Sequence, residues 1–343
     1  MSGTWRHLVG ALVIAAAAFA VGCGSDDDGG GGGGSAAESG EPKTLRVAVA
    51  STPDFTQIGL VKWQENLEAD GVKVELKNVE ATDVALRTVV SGQADVYMGS
   101  LALAAQLVKS TDSDVKLLAA DAQAPDYLLL AQKEIGSIDD LAGKKIGINR
   151  PGDEGGAFTR AALAKEGFDV DSAEWLSVGG TSARVAALIS GQIDAAPAHA
   201  AEAYEAADKG PQPLLTLSEP LGQVLQTGLV ASSEWIESDR EFAQQVVDAL
   251  LDSTRWAAQS KAEYIEKSME VVPDLSDESR EQAYQTFMDI ELFAVNGGVT
   301  EEQVQLFADT HTDAGTLSEG APEYADWVEP SLVEDYLERN GEL

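Results

Sequence analysis

Three short segments carry residue types suited to holding a small polar molecule. They are Ser51-Thr52-Pro53-Asp54-Phe55, Gly99-Ser100, and Arg150-Pro151-Gly152-Asp153-Glu154-Gly155-Gly156. Each follows a predicted strand and precedes a predicted helix, where free backbone N–H groups and the helix dipole favour anions or polar oxygens. Ser51, Thr52, Phe55, Gly99 and Ser100 are therefore candidate ligand contacts. The plainer alternative is that Thr52, Asp54 or Ser100 simply caps its helix. In the third segment Gly152 and Gly155 permit close backbone approach, but the Lys-Ser/Thr ending of a P-loop is missing. Arg150 offers a fork for a carboxylate or sulfonate, or it pairs with Asp153 or Glu154. Those two acids argue against a bare anion pocket and suit an amine, an amino-pyrimidine or a zwitterion. His199, at a further helix start in an Ala-rich stretch, is a candidate contact, as are Tyr127, Gln226 and Thr227. Tyr97 and Trp63 read as packing residues.

Enzyme chemistry finds little to work with. The chain has one cysteine, Cys23, and three histidines, of which His7 lies in the N-terminal leader. His199 and His311 alone do not make a metal cluster of the usual His/Cys kind, and no Gly-x-Ser-x-Gly elbow appears. The sequence thus predicts no catalytic residue, no metal and no cofactor. A formal net charge of −35 disfavours nucleic acid, which needs a basic footprint, and lying flat on anionic lipid.

The N-terminus reads as an export signal. Arg6 and His7 precede an apolar or small run from Leu8 to Val21, too short to span a bilayer comfortably and the right length for a signal peptide. Ala20-Val21-Gly22-Cys23 resembles a bacterial lipobox, although the −3 position is Ala rather than the usual Leu. That resemblance implies lipidation at Cys23, an anchor in the membrane and an extracytoplasmic location. Asp26 to Gly40, with three Asp and a run of six Gly, is a polar tether without core-forming residues.

The folded part must position the candidate residues, and an internal repeat says how. Val90-Ser91-Gly92-Gln93-Ala94-Asp95 recurs 99 residues later as Ile189-Ser190-Gly191-Gln192-Ile193-Asp194. The same offset superposes Leu45–Ser51 on Lys144–Arg150, Thr82 on Thr181, and Ser100 on His199. Each copy reads as alternating strands and helices, which implies mainly parallel sheets covered by helices. Gly92 and Gly191 sit where a helix should stop. Asp126–Gln132 reads as a strand leaving the first copy, and Gln223–Ser232 as the return. Residues 238–343 read as mostly helical, with Ser276 and Thr300 as N-caps.

The segment Ser137-Ile138-Asp139-Asp140-Leu141-Ala142-Gly143-Lys144-Lys145-Ile146-Gly147-Ile148, then Arg150-Pro151-Gly152, Val178-Gly179-Gly180 and Ala187-Leu188-Ile189-Ser190-Gly191-Gln192-Ile193-Asp194-Ala195-Ala196 carry a family resemblance. The chain resembles the substrate-binding lipoproteins of ABC transporters, of the nitrate/sulfonate/taurine and thiamine-pyrimidine-precursor type. The likeness covers residues 44–260 well and the C-terminal helices loosely. It implies a type II periplasmic-binding-protein fold, α/β and two-lobed, joined by two crossover strands, with a helical C-terminal part packed on lobe one. Expected bounds are 1–22 for the signal, 23–43 for the lipidated Cys and tether, 44–128 and 226–343 for lobe one, and 129–225 for lobe two. The implied partners are a small-molecule ligand, an ABC permease and, through the lipid, a membrane. The Cys-rich motif of the pyrimidine-synthesising relatives is missing here. A surface sensor that uses the same lobes without transport is the alternative reading.

Overall fold

A computed structural model describes residues 42–50, 54–79 and 82–343. The signal, Cys23, the tether, Ser51 and Thr52 lie outside the described residues. The first lobe begins β1 (Thr44–Val49), α1 (Ile58–Ala69), β2 (Lys73–Asn78), α2 (Thr82–Val90), β3 (Val96–Ser100), α3 (Leu101–Thr111), β4 (Val115–Ala122). The chain then crosses into β5 (Tyr127–Ala131), β6 (Lys145–Ile148), α4 (Glu154–Lys165), β7 (Glu174–Ser177), α5 (Thr181–Ile189), β8 (Ala195–His199), α6 (Ala200–Ala207), β9 (Gln212–Thr216) and α7 (Ser218–Leu221). It returns through β10 (Thr227–Ser232) and ends in α8 (Ser233–Ser238), α9 (Arg240–Gln259), α10 (Lys261–Val271), α11 (Asp277–Asp289), α12 (Glu301–Asp313), α13 (Tyr324–Trp327) and α14 (Ser331–Asn340).

The two sheets have the same plan. Strand order is β2-β1-β3-β10-β4 in one and β7-β6-β8-β5-β9 in the other. In each, one crossover strand runs antiparallel between the third and last strands of a βα series, β10 in the first sheet and β5 in the second. The α/β two-lobed fold expected from the sequence is therefore present.

The repeat is visible at the level of single hydrogen bonds. Asp95 accepts from the backbone N–H of Arg46 at 2.6 Å, and Asp194 from that of Lys145 at 2.8 Å. The reverse bonds, Asp95 N–H to Arg46 O and Asp194 N–H to Lys145 O, complete both pairs. Each aspartate thus locks the start of its third strand to the start of its first. Gly92 and Gly191 both have positive φ, 67° and 73°, the left-handed turn that ends a helix at least cost with glycine.

Two helix starts set the positions of the acids beside them. The Asp153 side chain accepts from Gly156 N–H at 3.1 Å, so α4 starts at Glu154 and takes both following glycines into its first turn. α6 starts directly after His199, which makes His199 the N-cap position and Glu202 a first-turn residue. Ser276 and Thr300 do cap α11 and α12, accepting from Ser279 and Gln303 N–H.

The tail packs on both lobes. α9 buries Phe242, Val246, Val247, Leu250, Leu251 and Ala257 along one face, a helical spacing, and lies against α1. The Trp63 indole N–H of α1 donates to Val246 O at 3.0 Å. The expectation that the tail packs on lobe one is incomplete. α11 also packs on α6 and α12 on α4, and Tyr204 of α6 shares a 2.7 Å hydrogen bond with Thr286 of α11. Among the described residues no helix is long and apolar enough to cross a membrane.

Candidate functional site

The carboxyl ends of β1, β3, β6 and β8 and the two crossovers converge, as expected where ligands bind open α/β sheets. Asp126 immediately precedes β5, and Gln226 immediately precedes β10. Their backbones do equivalent work: Asp126 O accepts the first N–H of α6 (Ala200, 3.0 Å), and Gln226 O that of α3 (Leu101, 3.0 Å). Their side chains meet, with Gln226 Nε2 donating to Asp126 Oδ1 at 3.2 Å.

Asp126 is fully buried and is the hub of the site. Besides Gln226 it accepts from Thr56 Oγ1 at 2.5 Å and from His199 Nδ1, which is 2.9 Å from both carboxylate oxygens. Thr56 lies in the turn before α1, whereas His199 ends β8, so the network joins the lobes. A second link is Ser100 Oγ at the end of β3, which donates to Glu154 Oε1 of α4 at 2.9 Å. Tyr127 stacks on the His199 ring with centroids 4.3 Å apart. Buried polar groups persist when hydrogen-bonded, and Asp126 has three donor partners here.

The candidate residues divide accordingly. Ser100, Tyr127, Glu154, His199 and Gln226 come together. Thr227 begins β10 in register with Ser100 and lies beside Asp121. Gly99 leads into Ser100. Gly155 sits against Tyr127: a Cβ there would meet the ring at 3.3 Å, so glycine lets α4 and Tyr127 touch. Gly152 forms an exposed turn with φ 78°, Asp153 is spent on the cap, and Arg150 is exposed beside it. Phe55 is 1 % exposed and packs between Tyr264 and Phe287 at centroid distances of 5.5 and 5.6 Å. Its ring belongs to the core rather than to the polar network.

Sequence reasoning missed Asp126, Thr56, Asp121 and Glu202 as site residues and gave Asp54 only a capping part. Asp54 does accept from the N–H groups of Thr56 and Gln57 at 2.9 and 3.2 Å. Its charge also acts on Asp126, His199, Asp121 and Glu202. The available signal was that Asp126 and Gln226 each stand immediately before a crossover strand.

The electrostatics are dominated by acid. Burial opposes a charged imidazole, yet the Asp126 carboxylate, with help from Asp54 and Glu202, raises His199 to about 10. Burial would raise Asp126, but the imidazolium and the Thr56 and Gln226 donors hold it below the usual value. Burial raises Glu154 and Glu202 to about 7, the Ser100 and His199 contacts only partly opposing it, and raises Asp121 to about 6. Asp54 is also raised, first by burial.

A pH dependence follows. A carboxyl whose folded pKa lies above its unfolded value stabilises the fold below that unfolded value, and the contribution is lost as pH rises through the folded pKa. For Glu154 and Glu202 the window runs from 4.5 to about 7. His199 contributes fully below 6.5 and loses its contribution progressively between 6.5 and about 10, while Asp126 loses its own only in acid. Without ligand, the thermal midpoint of the protein is expected to fall across the Glu154/Glu202 window, and the double variant Glu154→Gln/Glu202→Gln is expected to flatten that fall. A midpoint that rises over the same range in the parent would contradict the assignment.

A family model described as NMT1/THI5 like matches residues 53–263. No curated protein matches the chain in sequence. Among solved structures, the ligand-binding component of an ABC-type import system from Staphylococcus aureus, with zinc bound, is 15% identical. The match covers 86% of this chain and 99% of that one with a TM-score of 0.71. The periplasmic aliphatic sulphonate binding protein SsuA from Escherichia coli is also 15% identical, covering 83% and 96%, TM-score 0.66. The desulfurization enzyme DSZB is 16% identical, covering 87% and 99%, TM-score 0.63. These likenesses show a fold shared by binding proteins and at least one enzyme. Among the described residues no group of three His, Cys, Asp or Glu is placed to hold a metal ion.

Proposed function

The chain belongs to the NMT1/THI5-like family, and from that premise we propose that it is the solute-binding subunit of an ABC import system. It captures a small polar solute between its lobes and hands it to a permease. The observation that carries this reading is the polar network at the lobe junction, where Thr56 and Gln226 from one side and His199 from the other meet on Asp126, and Ser100 meets Glu154. The network stands where strands of both sheets end, so a solute there touches both lobes and favours the arrangement that encloses it. Closure is a population shift, limited by how much better the solute binds the closed form. No nucleophile–base pair is part of this reading, which is that of a binding protein rather than an enzyme.

A thermal-shift screen of the full chain against sulfonates, taurine, nitrate, pyrimidines, riboflavin, aromatic acids and amines tests it. A ligand at 100 times its Kd stabilises by about 2.7 kcal/mol. Turnover of a bound compound, or no stabilisation by any member of the panel, would count against the reading.

The location belongs to the same proposal. Cys23 carries lipid and the Gly-rich segment tethers the lobes at the extracytoplasmic face of the cell membrane. Two acyl chains anchor firmly, at about 0.8 kcal/mol per buried methylene. Cys23→Ser is expected to move the protein from the membrane to the soluble fraction. Retention of that variant on the membrane would refute the anchor.

A further inference from the structure

We propose that the lobe junction takes an organic cation bearing N–H donors, an ammonium or amidinium group, and excludes sulfonates and other anions. This assignment rests on the solute-capture reading and names its ligand class.

The junction holds a surplus of acceptors. Asp54, Asp121, Asp126, Glu154 and Glu202 form one electrostatic cluster, and the cation that bears on all of them but Asp121 is His199. His199 is already committed to Asp126, and the Ser100 hydroxyl to Glu154. Gln226, 3 % exposed, directs its Nε2 into this cluster, yet its Oε1 is buried without a partner. Asp121 Oδ1 is likewise buried and unpartnered. A buried acceptor left unmatched is costly. What these oxygens lack is N–H, and a ligand rich in N–H and positive charge supplies it. A sulfonate would add three more acceptors.

Two helix starts and one arginine that could cradle an anion are already countered or committed. Helix N-termini bind anions through free N–H groups and the dipole. Here α4 and α6 carry acids of their own in the first turn, Glu154 and Glu202, and α4 is further capped by Asp153. Arg184, near Tyr127, is not free to clamp an anion. Its guanidinium donates to Pro197 O, Gly179 O and Thr181 Oγ1 at 2.9 to 3.1 Å. Arg150 is exposed beyond the cap.

Titration calorimetry on the full chain with agmatine, putrescine and ethanesulfonate decides the matter. At least one of the two cations is expected to bind with ethanesulfonate silent. Glu154→Gln and, separately, Glu202→Gln should each weaken the cation by about tenfold or more, as for loss of a buried charge partner, while keeping a cooperative thermal transition. Binding of ethanesulfonate instead would overturn the cation assignment and leave solute capture standing. So would a screen hit of any other class with both cations silent. Cation binding unchanged in both variants would overturn it as well, because the site would lie elsewhere. Cation binding that both variants weaken, but that brings no approach of the lobes, would uphold the assignment and refute capture by closure.

Discussion

Asp126→Ala is expected to destabilise the protein by about 3–5 kcal/mol, the range for removing one partner of a buried charge pair. The carboxylate is wholly buried and accepts from Thr56, His199 and Gln226. Its loss leaves an imidazole in a protein environment with no carboxylate at hydrogen-bonding distance among the described residues. Asp54 and Glu202 still favour the imidazolium through space, which places the loss toward the lower end. Two measurements check this. Urea denaturation should show a lower midpoint with an unchanged slope, since the slope follows surface exposed on unfolding. An NMR titration should show His199 losing its proton at lower pH than in the parent. A change within about 0.5 kcal/mol, the ordinary surface range, would mean that Asp126 is not the hub described.

Phe55→Ala is expected to cost about 3–5 kcal/mol, as for other buried aromatic truncations. The ring lies between Tyr264 and Phe287, and Tyr264 Oη donates to the Phe55 carbonyl at 2.5 Å. The conservative Phe55→Leu should cost less than about 1.5 kcal/mol. The pair separates two roles for a residue that its loop position marks as a ligand contact. A packing residue gives a large stability loss in the alanine variant and an unchanged ligand affinity in the leucine variant, measured where both remain folded. A ligand contact gives a weakened affinity in Phe55→Leu.

That residue also illustrates how far the sequence could be read. The loop after β1 was identifiable because a strand pattern ends there, but the direction of one aromatic side chain depends on Tyr264 and Phe287, more than 200 residues away. The two sheets were legible for a different reason. An Asp that ties two strand starts together recurs with its Ser-Gly-Gln lead-in, at Asp95 and Asp194, so a structural device left a repeated string. The pairing of Ser100 with His199 at equivalent strand ends came from the same offset. No such string marks Asp126 with His199 or Ser100 with Glu154. Ser100 with Glu154 joins one copy to the other, and Asp126 stands at the head of a crossover strand outside both copies, whereas a repeat reports what each copy does alone. Glu202 was missed because nothing in the sequence of α6 shows that this first-turn acid is half-buried near the His199 charge. The reach of α11 to α6 was hidden for a related reason: Tyr204 and Thr286 are ordinary helix residues until the tail folds back.

A solute entering the lobe junction should draw the two lobes together, and a spin-label distance between them reads that closure. Val84 and Ala183 are exposed, stand in the first turns of α2 and α5, and are related by the repeat offset. With Cys23→Ser to remove the native thiol, Val84→Cys and Ala183→Cys place one label on each lobe. The distance distribution is expected to be broad or long without ligand and to become shorter and narrower when a ligand found in the screen is saturating. An unchanged distribution with the ligand fully bound would contradict it.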